Sequence, residues 1–147
     1  MNTQSFSSSL GWITVSEKNN LITAVKFGKR KNHGKSKVLT NLKKQIIEFT
    51  RGKRKIFSLK LHIEGSTLQK KIWRQLSKIN FGKTKTYGDI AKTLGTSPRY
   101  VGNVCGQNNH LLIIPCHRVV RSDGSLGGFS GLGGIKLKQK LLKLEQA

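Results

Sequence analysis

The chain has 147 residues, 35% of them hydrophobic, enough for one ordinary domain or two small ones sharing an interface. Twenty-eight Lys and Arg against six Asp and Glu give a formal charge of +22, an imbalance that seeks a polyanion, nucleic acid before an anionic membrane. Two cysteines exclude a disulfide framework, and no run approaches the roughly 18 apolar residues of a membrane span.

The basic residues recur among apolar ones along the chain, which predicts a folded basic surface and not a charged tail. The opening "MNTQSFSSSLGWITV" lacks a positive segment followed by a long apolar run, so no secretory signal is read there. The expectation is a soluble, cytoplasmic protein with free thiols.

Residues 1 to about 10 are Ser-rich and read as loose. "GWITVSEKNNLITAVKF" holds two β-rich runs around the turn sequence "EKNN" and predicts a hairpin. "KRKNHGKSK" is a basic loop, in which Arg30, Lys31 and Lys35 are as well explained as solvated surface. Val38, Leu42, Ile46 and Phe49 share one stripe of an amphipathic helix that Gly52 can stop. In "KIFSLKLHI", Phe57, Leu59, Leu61 and Ile63 alternate, which predicts a strand.

After Gly65 the pattern becomes helical. Leu68, Ile72, Leu76 and Ile79 line one stripe, with Ser66 or Thr67 as N-cap. "FGKTKTYG" reads as a loop, "DIAKTLG" as a short helix ended by Gly95, and "TSPRYVGNVCG" as a second, capped by Ser97 with Pro98 first. Helix, short Gly-containing turn and helix make a helix-turn-helix. A Gly-rich stretch precedes a last helix, "IKLKQKLLKLEQ". The fold class expected is α+β. A small N-terminal α/β domain of hairpin, strands and helix occupies residues 1–63, and a mainly helical domain with the helix-turn-helix occupies 64–147.

The chemistry-bearing residues concentrate in "LLIIPCHRVV", residues 111–120, where a thiol, an imidazole and a guanidinium interrupt an apolar run. A cysteine attacks only as thiolate; burial raises its pKa and a base or positive charge lowers it. Pro115 fixes the chain before Cys116, and His117 can act as general base if a carboxylate orients its ring. Glu145 in the last helix is a candidate orienter. Two other readings stand beside this one. Cys116 can be a small buried hydrophobe with His117 a satisfied core histidine. Cys105, His110, Cys116 and His117 can also be tested as metal ligands, although an adjacent Cys-His pair chelates one tetrahedral ion poorly and no C-x2-C spacing exists.

"IPCHRVV" resembles the active-site signature of the O6-alkylguanine-DNA alkyltransferases, the methylated-DNA–protein-cysteine methyltransferases. "GSTLQKKIWRQLSKINFGKTKTYGDIAKTLG", "RYVGNVCGQNN", "GGFSG" and "LLKLE" resemble further blocks of that family in the same order, over about residues 10 to 145. The resemblance implies a cofactor-free protein that binds double-stranded DNA as a monomer. It would move a methyl or larger alkyl group irreversibly from guanine O6, with thymine O4 as the related position, to an internal cysteine. Each molecule would act once, because a thioether is not exchangeable like a disulfide.

The implied roles are specific. Cys116 is the acceptor, activated by His117 through a water, with Glu145 polarising the imidazole. Asn108 braces the active-site turn. Tyr87 helps rotate the target nucleotide and donates to the purine ring. Arg99 fills the gap in the base stack, since the alkyl group is reachable only on an extruded nucleotide. Ser97, Tyr100 and Asn103 fall on the DNA-reading helix, and Ser130 matches a residue near guanine O6. The chain departs from the family pattern at Leu68, Asn80, Tyr100, Cys105, Asn109 and Phe129, none of which removes the chemistry. Two further hypotheses are weighed: a DNA-damage-binding module without transfer activity, against which Cys116 itself stands, and a cysteine hydrolase built on Cys-His-Glu.

Overall fold

The computed structural model describes residues 1–127 and 134–146. They form two compact units. Met1–Ile63 with Asn109–Ile113 make the first, and Glu64–Asn108 with Ile114–Gln146 the second. Residues 109–113, read from sequence as part of the C-terminal half, thus count with the N-terminal unit.

The first unit is an antiparallel sheet of β1 (Asn2–Ser8), β2 (Gly11–Lys18) and β3 (Leu21–Phe27), in that order, with helix α1 (Lys37–Thr50). The hairpin turns at Asn19 and Asn20, whose φ values of 53° and 67° are the left-handed pair a tight two-residue turn demands. Alternation along β2 turns Ile13 and Val15 into a core with Phe6, Val25 and Phe27 from the flanking strands. Leu39, Leu42, Ile46 and Phe49 on one stripe of α1 complete it. Ser36 caps α1 by accepting from the Leu39 N–H.

Two expectations fail in this unit. The Ser-rich start is β1 and not a loose segment. Phe6 opposite Ile13 anchors it to the core, while Ser5 meets Thr14 through a 2.7 Å hydroxyl contact on the other face. The alternating stretch 55–63 is not a ladder strand. It touches the sheet at one bridge, Leu61 with Ile22, and the Gln45 side chain satisfies both backbone groups of Ser58. A side-chain amide thereby occupies the place a neighbouring strand would take. Residues 109–113 add their own backbone to β3, with Val25 N–H donating to Asn109 O and Leu111 N–H to Val25 O.

The second unit is mainly helical. Helix α2 (Thr67–Ser77) begins with a reciprocal capping box between Ser66 and Gln69 and buries Ile72, Trp73 and Leu76. Helix α3 (Tyr87–Leu94), capped by Thr86 with Asp89, ends at Gly95, whose φ of 69° is left-handed. Helix α4 (Pro98–Cys105) follows after Ser97, its N-cap. The loop expected over residues 81–88 contains a short strand, β4 (Lys85–Thr86), which pairs in parallel with β5 (Val119–Val120). That pairing carries the chain directly out of the Cys116 turn. Helix α5 (Gly134–Gln146) closes the unit. The architecture is α+β, as expected. No helix among the described residues is long and apolar enough to cross a membrane.

Candidate active site

Pro115 breaks the apolar run, and Cys116–Arg118 form a single 3-10 turn after it. Asn108 braces this turn by donating from Nδ2 to the Ile114 carbonyl at 2.8 Å. Cys116 is 4% exposed. Burial pushes its thiol up, while a hydrogen bond from Asn108 and the positive charge of Lys138 pull the other way.

His117 is fully buried. Its Nε2 lies 2.6 Å from Glu145 Oε2. A carboxylate only accepts, so Nε2 carries the proton and donates to it. Nδ1 is then left with a lone pair, and it is buried without a hydrogen-bond partner among the described residues. Burial lowers the imidazole pKa against the pull of Glu145, which keeps the ring neutral and basic at neutral pH.

Glu145 is the hub. Arg118 Nε reaches Oε1 at 2.8 Å and Arg118 Nη2 reaches Oε2 at 2.9 Å, a two-pronged fork. The Gly82 N–H adds a fourth donor, to Oε1 at 3.2 Å, from a residue whose φ of 81° favours glycine. Burial pushes the carboxyl up, but the bonds from His117 and Arg118 outweigh it and hold the group at about 2. Arg118 is in turn fixed by donating from Nη1 to Ile79 O at 2.7 Å.

Lys138 on α5 is also fully buried. Its ammonium donates to the Val119 carbonyl at 2.6 Å and to the Tyr87 hydroxyl at 3.3 Å. Tyr87, first residue of α3, has its phenol pushed up to about 12, chiefly by burial and then by the two thiols. Gly127 lets the ring sit there: a Cβ at that position would lie 2.7 Å from Tyr87 Cε2 and closer still to the hydroxyl. Cys105 stays protonated, its thiol raised to about 12 mainly by burial.

The structure therefore brings buried Cys116, His117, Glu145 and Asn108 together in the second unit, with half-buried Tyr87 joined to them through Lys138. Arg99 and Asn103 are instead exposed on α4, and Tyr100 is half-buried there. Ser97 is exposed, with its hydroxyl engaged by the Tyr100 N–H at 3.1 Å. Ser130 and Phe129 lie outside the described residues. His110, grouped with the thiols in the metal reading, lies in the other unit with Nε2 2.9 Å from the Ile22 carbonyl. Among the described residues no three His, Cys, Asp or Glu side chains gather to hold a metal ion.

Sequence reasoning passed over Lys138 and the Arg118 fork. A signal existed: Lys138, Leu141 and Glu145 follow one another at spacings of three and four, so the apolar stripe of α5 carries two charges that must be paired inside.

Residues 67–147 match the family described as 6-O-methylguanine DNA methyltransferase, DNA binding domain. A methylated-DNA–protein-cysteine methyltransferase of Sulfolobus acidocaldarius is 38% identical over 95% of this chain and 90% of its own. The structure of Mycobacterium tuberculosis OGT in complex with DNA superposes with a TM-score of 0.88 at 29% identity, over 98% of this chain and 92% of that one. An O6-methylguanine DNA methyltransferase from Methanococcus jannaschii gives 0.71 at 30% identity, over 99% and 93%.

Proposed function

The chain belongs to the methylated-DNA–protein-cysteine methyltransferases, DNA-repair enzymes that move an alkyl group from a base to a cysteine of their own, and we propose that Cys116 is that cysteine and O6-alkylguanine in duplex DNA its substrate. One observation carries the assignment. The residue after the thiol is a neutral, buried imidazole, locked at Nε2 by Glu145 and with an unpaired lone pair at Nδ1. A water held by that lone pair can accept the thiol proton, and the Glu145 carboxylate balances the charge that His117 gains.

The resulting thiolate attacks the alkyl carbon. The S–C bond forms, the C–O6 bond breaks, and its electron pair stays with guanine. Tyr87 supplies a proton to the purine ring and is replenished from the thiol's own proton, so the proton lost by sulfur ends on the base. Its high-pKa phenol is neutral, a donor where the leaving group needs one. The thioether has no route back, and each protein molecule acts once.

Arg99, Asn103, Ser97 and Tyr100 place α4 against DNA as the second helix of a helix-turn-helix, with Arg99 holding the gap left by the everted nucleotide. Ser130 serves the guanine O6 side. The protein works as a monomer without cofactor, and its two free cysteines accord with a reducing, cytoplasmic compartment.

The test is intact mass after incubation with duplex DNA carrying O6-methylguanine. The expected result is a gain of one methyl group on Cys116, one per protein molecule, lost in Cys116→Ala and kept in Cys105→Ala. Binding without an adduct would make the protein a damage-binding module, and release of product without an adduct would make it a hydrolase; either overturns the assignment.

A further inference from the structure

The N-terminal unit carries no part of the chemistry, yet residues 1–63 hold fourteen Lys and Arg against two acids, Glu17 and Glu48. Both acids are engaged: Glu48 pairs with Arg54 at 3.0 Å, and Glu17 is buried, accepting from Asn2 and from the Asn20 N–H. The excess of positive charge therefore has no further acid within residues 1–63 to offset it.

Part of that charge gathers on one surface. The sheet buries Ile13 and Val15 towards α1, so Trp12, Thr14 and Ser16 point to the opposite face, beside Thr3, Ser5 and Ser7 of β1 and Lys26 of β3. Helix α1 packs on the opposite side of the sheet. A cavity of about 380 Å³ opens on it, lined by Thr3, Thr14, Ser16, Thr23, Lys26 and Arg30 among others.

The loop after β3 is strapped across the same face. Thr14 Oγ1 donates to Gly28 O at 2.6 Å, Ser5 Oγ holds both backbone groups of Arg30, and Thr3 exchanges two backbone bonds with His33. The strap fixes the backbone of Lys29, Arg30 and Lys31 while leaving all three exposed. Lys29 Nζ sits 4.5 Å from the centroid of the Trp12 ring, which is 41% exposed. The ring positions this ammonium without neutralising it. No carboxylate pairs with Lys26, Lys29, Arg30 or Lys31 among the described residues.

We propose that this face of the N-terminal sheet, opposite α1, is a second DNA contact, which grips the phosphate backbone of undamaged DNA. Lys26, Lys29, Arg30 and Lys31 meet phosphate oxygens, while the hydroxyls of the face, engaged with one another and with the strap, hold its shape. No base edge is read, so the contact is indifferent to sequence and to damage. It rests on the reading of the protein as a DNA-repair enzyme. It adds a hold on DNA that does not pass through α4 or Cys116, and the full chain retains it after the thiol has been consumed.

The experiment is the salt dependence of binding to a short unmodified duplex. The slope of log K against log salt falls by about 0.9 for every phosphate that is no longer neutralised, so the triple variant Lys29→Ser, Arg30→Ser, Lys31→Ser should lower it by about 2 to 3. A control triple on the same unit, Lys37→Ser, Lys44→Ser, Arg51→Ser, removes equal charge from exposed positions elsewhere and should change it by less than half as much. Both triples should alkylate Cys116 with free O6-benzylguanine at the wild-type rate. An unchanged slope in the first triple overturns the proposal, and so does an equal fall in both, which would reduce the effect to net charge. Loss of binding to phosphatidylserine vesicles with DNA binding intact overturns it as well. Failure of the wild-type protein to gain a methyl group would sink the function above and leave this slope measurement standing on its own.

Discussion

His117 Nε2 donates to Glu145 Oε2 across 2.6 Å, joining residues 28 apart in sequence at a point where neither side chain is more than 1% exposed. A charged carboxylate held there, with Arg118 and Gly82 on its other lone pairs, makes the imidazole a better base than burial alone would leave it. Glu145→Gln keeps the shape and removes the charge. Alkylation of Cys116 by free O6-benzylguanine should slow by roughly 10- to 100-fold at pH 7, and the rate should rise towards higher pH than in wild type. An unchanged pH profile would remove Glu145 from the activation of the thiol.

The same cluster sets the response of stability to acid. His117 has its folded pKa lowered by burial, so it contributes stability that is full above its ordinary value of 6.5 and declines below it. Glu145 is lowered from 4.5 to about 2, so its contribution is full above 4.5 and is lost as pH falls towards 2. For the carboxylate alone this amounts to about 3 kcal/mol. Urea unfolding at pH 7, 5 and 3 should show stability falling at each step; a flat series would contradict the buried pairing.

Arg99 is exposed on α4 and shares no hydrogen bond or ion pair with the thiol's neighbours among the described residues, which separates extrusion from chemistry. Everting a nucleotide costs a few kcal/mol, and a residue that holds the gap offsets part of it. Arg99→Ala should therefore slow methyl transfer from duplex DNA by roughly 10-fold or more while leaving the reaction with free O6-benzylguanine within about 2-fold. Equal losses on both substrates would rule out a role in extrusion.

Lys138 is a buried charge that donates to the Tyr87 hydroxyl and draws the Cys116 thiol down. Lys138→Met fills the same space without charge. It relieves a buried ammonium but leaves the Val119 carbonyl without its donor, so unfolding free energy should change by no more than about 2 kcal/mol. The rate with free O6-benzylguanine should fall, and its pH profile should move upward because the thiolate has lost a nearby cation. A slower reaction with an unmoved profile would assign Lys138 to the packing of Tyr87 alone.

The sequence by itself determined the local parts. An apolar stripe with a glycine stop marks α1, a stripe with a cap marks α2, and Gly95 and Ser97 mark the end of α3 and the start of α4, because these signals lie within a few residues of chain. The Cys116–His117 pair and its Pro115 turn were legible because they are contiguous, and Glu145 was within reach as one of only six acids. The tertiary structure decided whatever depends on a partner far along the chain. The Ser-rich start is a strand because β2 offers Ile13 to Phe6, and 55–63 is no strand because Gln45 satisfies Ser58 first. Lys138 is a buried charge because Tyr87 and Val119, 51 and 19 residues away, supply its oxygens. A periodicity shows which face a residue occupies; only the packed chain brings the opposing donor or acceptor within the roughly 3 Å at which a buried polar atom is stable.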